Sequence, residues 1–494
     1  MSLMRFLFRR FNSIKSNFSD FGVAESTKSN ILSIEGLESV KKGDIISAGP
    51  YKAWVYALFH DKVLAAILSE SQVDYHGPVS IDPDFDLKIP IDVSESLSVS
   101  AFSSTSSSNP SFKAFLNSKP PYKHLLSQNQ LYTGYQQVDI CKPISLGQTS
   151  LFYGPSNKGK IKLAYDTAET FLKNKHAQVV IASPNPLKYK RNIPKAIVYK
   201  SEMAHSEVSQ YFIPYIALAH ASYLRDKGHH VLFILDDLLY HTFKEKTLFH
   251  TEKIMPTNLG SLAFEHSKHV SKDSSLSSVF ILDKDTNDDT HRLVSESINI
   301  HMQSISSQIF KFDSEDEILS KQTPVLDFTN IVDNIIPFQL PVYAKLRKEL
   351  TELFISLKEV KSTEDIRKKY KINSDPWDKY LILDSKYFLT LLSQSAPLSI
   401  PELTAFLQFV LWSVKNETIS MFKVDLHEVR TEFLAFFKSL DTEVEVRLRK
   451  NPESVDAEWA LDQINSKIIP RFYDHAKMKG WLRDFKDDYE ELLK

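Results

Sequence analysis

The sequence predicts a multidomain chain: a small N-terminal β barrel, a central α/β domain with a mostly parallel sheet around a phosphate-binding loop, and a C-terminal α-helical domain. Three observations carry this reading. Residues 25–95 are built of short apolar or alternating runs (NILSIEGL, AWVYALF, VLAAILS, PVSI, LKIPIDV) separated by turn residues, the spacing of a small antiparallel barrel. Between 126 and 340, strand-like runs (TSLFYG, QVVIAS, AIVYK, VLFILDD, SVFILD) alternate with helix-like stretches, as a parallel sheet with crossover helices requires. From 341 to 494 apolar residues recur at spacings of three and four, in LRKELTELFISLKEV, PELTAFLQFVLWSV and VRTEFLAFFKSL, which is the helical period. The final WLRDFKDDYEELLK reads as an amphipathic helix with a charged face.

Ahead of the barrel, MSLMRFLFRRFNSIKS carries Arg5, Arg9, Arg10 and Lys15 among Leu and Phe, and the first acid is Asp20. Basic, amphipathic and acid-free describes a mitochondrial transit peptide, so residues 1–20 are read as an address; the bland alternative is a basic start with no import role. Between barrel and sheet, residues 96–125 are serine-rich and read as an exposed loop or linker.

Composition excludes several classes. At 494 residues the chain is long enough for two to four domains and a large core. A net charge of −2 gives no general electrostatic case for nucleic-acid binding. No apolar run approaches the ~18–20 residues that span a bilayer. A single cysteine, Cys141, excludes an intramolecular disulfide and a cysteine-based zinc site. His229, His230, His241 and His250 flank buried strands without ligand-spaced partners and read as structural. Glycine is scarce, with 12 present where average usage would give roughly 35. Glycine lets a backbone approach a phosphate, so the scarcity points to lost loops.

The loop itself is broken at one position. In SLFYGPSNKGKIK, Gly154, Gly159 and Lys160 fit the first fixed positions of G-x-x-x-x-G-K-[ST], but Ile161 stands where a hydroxyl belongs. In such loops backbone N–H groups cradle phosphates, the lysine reaches the β/γ oxygens and the hydroxyl holds Mg²⁺. Isoleucine offers no oxygen to a hard cation. The residues expected at a nucleotide are Gly154, Asn157, Lys158, Gly159, Lys160 and Ile161, and Lys158 is expected to supply mobile charge only. Asp236, ending HVLFILDD, would face Mg²⁺ or its water shell, because ligands of parallel sheets lie at the carboxyl ends of strands. The alternatives are a plain surface lysine for Lys160 and a helix-capping role for Asp236 ahead of LYHTFKEK.

Two segments resemble the rotary ATPase alpha/beta family. In TGYQQVDICKPISLGQ, Thr133, Gly134, Val138, Asp139, Pro143, Ile144, Gly147 and Gln148 match the T-G-x-x-x-[VI]-D and P-[IL]-x-x-G-Q elements before its phosphate loop. In YLRDKGHHVLFILDDL, Tyr223, Arg225, Asp226, Gly228, His230, Leu232, Asp236 and Asp237 are similar to the block before the acidic pair of F-type ATP synthase alpha subunits. A weaker third block, SISSQIF, resembles that family's I-T-D-G-Q-I-F without its aspartate and glycine. The resemblance covers roughly residues 28–450 and includes the domain order. It implies a RecA-type P-loop domain, ATP or ADP as ligand, and a hetero-oligomeric ring with beta-type subunits around a central gamma-type shaft. The location implied is the matrix face of the mitochondrial inner membrane.

Departures from the family shape the expectation. A catalytic subunit needs a glutamate after the second strand to position water, and VVIASPNP offers Ser183 and Pro184 there. The family's alpha subunit lends an arginine to a neighbour's site, worth on the order of 10³–10⁵ in rate. In PVLDFTNIVDNIIPF, Pro324 and Asp327 match that segment, but the arginine position falls near Asn334. Lys345 or Arg347 could serve only in a shifted register. The chain before the barrel is also shorter than the family's stator-binding extension. The reading is a non-catalytic, degenerate alpha-type subunit of the mitochondrial ATP synthase head, binding nucleotide weakly if at all and with Mg²⁺ doubtful. The alternatives are an alpha-like paralogue acting as an assembly factor or scaffold outside the ring, and an active NTPase of another hexameric or RecA-type class.

Overall fold

The first strands bury apolar side chains on a common inner face and close on themselves. The computed structural model describes residues 21–26, 30–82, 85–89, 98–99, 109–112, 129–173, 176–188, 191–249, 258–267, 274–284, 288–312, 339–369, 394–416 and 421–482, with a few single residues between them. Strands β1 (Phe21–Ser26), β2 (Ile31–Gly36), β3 (Ile45–Ala48), β4 (Tyr51–Leu58), β5 (Val63–Ile67) and β6 (His76–Ile81) form a closed antiparallel barrel in the order β1-β2-β5-β4-β3-β6. Leu32 with Ile34, Ile46 with Ala48, Ala53 with Val55, and Ala65 with Ile67 fill its interior. Closure leaves no unpaired edge to aggregate. The runs singled out in the sequence omit β1 and β3, and of LKIPIDV only residues 87–89 are described, where Lys88 makes an isolated bridge to Ser111 and no barrel strand.

The remaining elements follow in chain order. They are β7 (Ser98–Val99), β8 (Gln130–Leu131), α1 (Gln136–Asp139), β9 (Ile144–Ser145), β10 (Thr149–Pro155), α2 (Lys160–Phe171), β11 (Ala177–Ser183), β12 (Ile197–Lys200), α3 (Glu207–Asp226), β13 (His230–Leu235), α4 (Leu238–Phe249), α5 (Asn258–Ser267), β14 (Ser275–Lys284), α6 (Asp289–Ile305) and β15 (Gln308–Lys311). The helical region supplies α7 (Pro341–Lys369), α8 (Ile400–Lys415), α9 (Leu426–Ser439), α10 (Glu443–Lys450), α11 (Ala457–Gln463) and α12 (Ile469–Met478). The final amphipathic helix expected from sequence lies almost wholly outside the described residues, as does the basic stretch 1–20. Among the described residues no helix is long and apolar enough to cross a membrane.

By contacts the chain divides into two units, residues 1–124 with 176–307, and residues 125–175 with 308–494. The first unit holds the barrel and the parallel strands β14-β13-β11-β12-β7. These strands read as nearly unbroken apolar runs because helices cover them. VLFIL of β13 and VVIA of β11 are fully buried. Helix α3 is buried along most of its length, and Trp54 of the barrel meets Phe212 on it edge to face at 5.4 Å. Its N-cap, Ser206, bonds the backbone N–H of Ser209 (3.1 Å) and donates to the carbonyl of Ser69 just after β5 (2.5 Å). The serine-rich segment is packed where it is described: Phe112 and Phe115 are buried, their rings 5.9 Å apart. Two aromatics outweigh the polar composition around them.

The second unit pairs β10 in parallel with β15, Ser150 opposite Gln308 and Tyr153 opposite Lys311. Its helical part is held by a phenylalanine core in which Phe409 stacks on Phe433 at 4.4 Å and meets Phe472 edge to face at 5.3 Å. Ser399 and Glu402 form a capping box at the start of α8, which satisfies the first free N–H groups of that helix.

Candidate functional site: a phosphate loop and an acidic strand end

In the second unit, β10 runs into the turn Pro155–Gly159 and then into α2. Gly154 has φ +154°, and a Cβ there would lie 2.7 Å from the carbonyl oxygen of Phe312, so only glycine fits. Gly159, at φ 89°, caps α2 in the left-handed region, a conformation that costs glycine nothing. Asn157 is also left-handed, at φ 63°. Ser156 and Asn157 are exposed and Lys158 is partly covered, so the turn faces outward. The N-terminal N–H groups of α2 and their dipole then point at whatever sits in the turn.

Lys160 is 3% exposed, which removes the reading of a plain surface lysine. Its ammonium folds back over the loop, donating to the carbonyl of Gly154 at 2.7 Å and to that of Pro155. A phosphate entering the turn would take over these donors. Ile161 is half-buried and brings only hydrocarbon to the place of the metal-holding hydroxyl. Gly154, Asn157, Lys158, Gly159, Lys160 and Ile161 therefore share one turn and the start of α2.

The motif before the loop is a clasp. Asp139, buried in α1, accepts from the backbone N–H of Thr133 (2.9 Å), the hydroxyl of Thr133 (2.9 Å) and the N–H of Gly134 (2.8 Å). Burial pushes its carboxyl up to about 7, against the pull of those three donors. Thr133 Oγ1 also accepts from the N–H of Tyr135 at 3.1 Å, and the Tyr135 hydroxyl donates to Asp166 of α2 at 2.6 Å. Gln148 closes the next turn on the N–H of Ser145 at 3.0 Å, and Gln308 of β15 donates to the carbonyl of Pro143 at 2.6 Å. These bonds thus fix the approach to β10 and tie the segment before it to α2.

In the first unit the acidic pair ends β13. Asp236 is fully buried, its N–H bonded to the carbonyl of Ala182 at 3.2 Å. The capping role expected as the alternative for Asp236 falls to Asp237, whose Oδ1 accepts from the N–H of Tyr240 at 2.9 Å. Asp237 Oδ2 accepts from Asn185 Nδ2 at 3.0 Å and lies 3.1 Å from the ammonium of Lys188. Lys188 also bonds Asp283 at 2.7 Å. Burial opposes the charge of Lys188, but Asp237, Asp283 and Asp236 overcome it and hold its pKa above the ordinary lysine value. Sequence reasoning missed Lys188, Asn185 and Asp283.

Arg225 of the second matching block is structural too, donating to the carbonyl of His266 at 2.6 Å and to Asp226 at 2.6 Å. His230 hydrogen-bonds with Ser275 at 2.9 Å, and His241 stacks on Tyr211 at 5.1 Å. Ser183 is buried at the end of β11 and its carbonyl accepts from Ser201 N–H at 2.9 Å, so no base stands there. The segment expected to carry a finger arginine lies outside the described residues apart from Pro324. Lys345 pairs with Glu458 at 2.9 Å, and Arg347 is buried.

A glycine-bounded turn between a buried strand and the N-terminus of a helix is the arrangement of a P-loop. Residues 134–305 match the ATP synthase alpha/beta family, nucleotide-binding domain. The chain is 27% identical over 220 residues to ATP synthase subunit alpha 2 of Mycoplasmopsis pulmonis, covering 41% of this chain and 40% of that protein. It is 26% identical over 255 residues to ATP synthase subunit alpha of Wigglesworthia glossinidia brevipalpis, covering 48% and 50%. It is 25% identical over 382 residues to ATP synthase subunit alpha 1 of Listeria monocytogenes, covering 71% and 72%. The chain thus spans half or less of the first two relatives' length. Residues 134–305 are thus similar to the nucleotide-binding domain of the ATP synthase alpha/beta family, and they stand between an N-terminal barrel and a C-terminal helical region.

Proposed function

We propose that the chain is a non-catalytic, degenerate alpha-type subunit of the mitochondrial ATP synthase head. It would sit at the matrix face of the inner membrane with beta-type subunits around a gamma-type shaft, contributing to proton-driven ATP synthesis. Its own loop would hold ATP or ADP weakly and with little dependence on Mg²⁺. One observation carries this reading: Lys160 and the two loop glycines keep a phosphate cradle, while Ile161 removes the metal-holding hydroxyl. Ser183 and Pro184 supply no base, which supports a subunit without turnover of its own. The relatives named as alpha subunits support the ring, and the basic, acid-free stretch 1–20 supports the compartment.

The second reading, an alpha-like paralogue serving as an assembly factor or scaffold outside the ring, draws on the same Ile161, since loss of metal chemistry is harmless there. Native mass spectrometry of tagged chain drawn gently from mitochondria separates the two. Recovery in a stable, near-stoichiometric head with beta-type and shaft subunits is expected, whereas recovery with unassembled subunits alone would favour the scaffold. Calorimetric titration of ADP with and without Mg²⁺ tests the loop: the expected isotherms are weak and similar, and tight, strictly Mg²⁺-dependent binding would overturn the reading.

A further inference from the structure

A divalent ion at the acidic end of β13 needs oxygen ligands with free lone pairs and no competing cation. The chain's own residues do not fit that requirement. The ammonium of Lys188 lies 3.1 Å from Asp237 and 2.7 Å from Asp283, and its side chain is only 19% exposed. Asp237 Oδ2 is further engaged by Asn185 at 3.0 Å, and Asp237 Oδ1 by the N–H of Tyr240 at 2.9 Å. A divalent ion brought to these carboxylates would have to displace hydrogen bonds from three groups. It would also sit within a few ångströms of a fixed positive charge, where repulsion in a poorly solvated site is strong.

Position matters as much as charge. Lys188 lies in the turn that leaves β11, Asp237 follows β13, and Asp283 ends β14. These three parallel strands are neighbours, in the order β14-β13-β11. The ammonium therefore gathers the carboxyl ends of three adjacent strands, the edge at which doubly wound sheets place ligands and their counter-ions.

We propose that Lys188 is a built-in counter-cation that occupies the acidic strand end formed by Asp236, Asp237 and Asp283 in place of a divalent metal ion. A side chain instead of Mg²⁺ offsets part of the negative charge at the strand end, so the fold and the acidic pair persist without metal. The assignment stands on residues of the first unit alone and holds whether or not the chain enters a ring. It is also separate from the phosphate loop, so weak or absent nucleotide binding does not bear on it.

The test uses the full chain, without nucleotide, and Mn²⁺ as probe, read by electron paramagnetic resonance and by thermal unfolding. Wild type is expected to bind no Mn²⁺ at submillimolar concentration and to show no metal-dependent melting shift. Lys188→Met keeps the aliphatic stem and removes the charge. It is expected to melt lower without metal, to bind about one Mn²⁺ at least roughly tenfold more tightly than wild type, and to regain melting temperature as Mn²⁺ is added, as a ligand bound only by the native state requires. Lys188→Arg should bind no metal. If Lys188→Met fails to fold alone, adding Asp283→Asn removes the uncompensated carboxylate and should restore folded protein. The proposal is overturned by wild-type Mn²⁺ binding that Asp237→Asn abolishes. It is overturned equally by a folded Lys188→Met that binds no more Mn²⁺ than wild type, or by failure of Asp283→Asn to rescue an unfolded one.

Discussion

Thr133→Val tests whether the clasp around Asp139 positions the phosphate loop. Valine has the volume of threonine, so no cavity opens at this fully buried position. Two hydrogen bonds go: the hydroxyl's donation to Asp139 at 2.9 Å and its acceptance from Tyr135 N–H at 3.1 Å. A bond to a charged group contributes about 1.5–3 kcal/mol, and a buried N–H left without an acceptor costs about 1–3 kcal/mol. A loss of roughly 3–4 kcal/mol follows at pH 8, allowing for partial relaxation. Thr133→Ser keeps the hydroxyl and loses one methyl, costing about 1 kcal/mol. The pH dependence has a definite sign. Asp139 is held up to about 7 by burial, above its unfolded value of 3.8, so the native state loses stability as pH rises through that interval. Removing a donor that favours the ionised form raises this pKa further, so the Val penalty is larger at pH 8 than at pH 5.5. Urea unfolding followed by circular dichroism at the two pH values measures it. Equal midpoints for Thr133→Val and Thr133→Ser at pH 8, or a Val penalty independent of pH, would refute the reasoning.

Gly154→Ala places a Cβ 2.7 Å from a backbone oxygen of Phe312 at φ +154°; a loss of about 2–4 kcal/mol is expected in the same unfolding assay. Ile161→Thr restores one oxygen near the loop, and ADP affinity should become Mg²⁺-dependent by no more than about tenfold, with no phosphate release in a turnover assay because Ser183 and Pro184 remain. Glu245 of α4 is raised by burial from 4.5 to about 7, so stability falls between those pH values and the full penalty persists above them. Glu245→Gln should reduce that slope and gain up to about 3 kcal/mol at pH 8, seen as a shallower fall in melting temperature between pH 5 and 8, the remainder belonging to Asp139.

Much of the architecture was legible because burial writes itself into strands. QVVIAS and VLFILDD are apolar runs that only a covered parallel strand explains, and both form where the sequence places them. The loop was legible because phosphate cradles need glycines at fixed spacing, and Gly154 and Gly159 keep it. What escaped has physical reasons. β1 is diluted by Gly22 and Glu25, and β3 spans four residues, so neither sustains an alternation. Phe112 and Phe115 pack despite the serine around them, because composition averages away two aromatic anchors. Lys188 was invisible because its partners Asp237 and Asp283 lie on strands distant in sequence and only the sheet brings them together. The matching motifs disclosed a resemblance but not a role: Thr133, Gly134, Asp139 and Arg225 hold backbone in place.

The parallel pairing of β10 with β15 sets an order of events during synthesis. Ser150 must wait for Gln308, and Gly154 for Phe312, with most of the first unit's sheet strands lying between them in the chain. Closing so long a loop is entropically slow, while every strand of the barrel lies between residues 21 and 81. A nascent chain therefore displays a finished barrel and a phosphate strand without its β15 partner until residue 311 has emerged. Any truncation before residue 308 leaves that strand with an open edge where β15 belongs, an edge for chaperones to shield or for misassembly to capture.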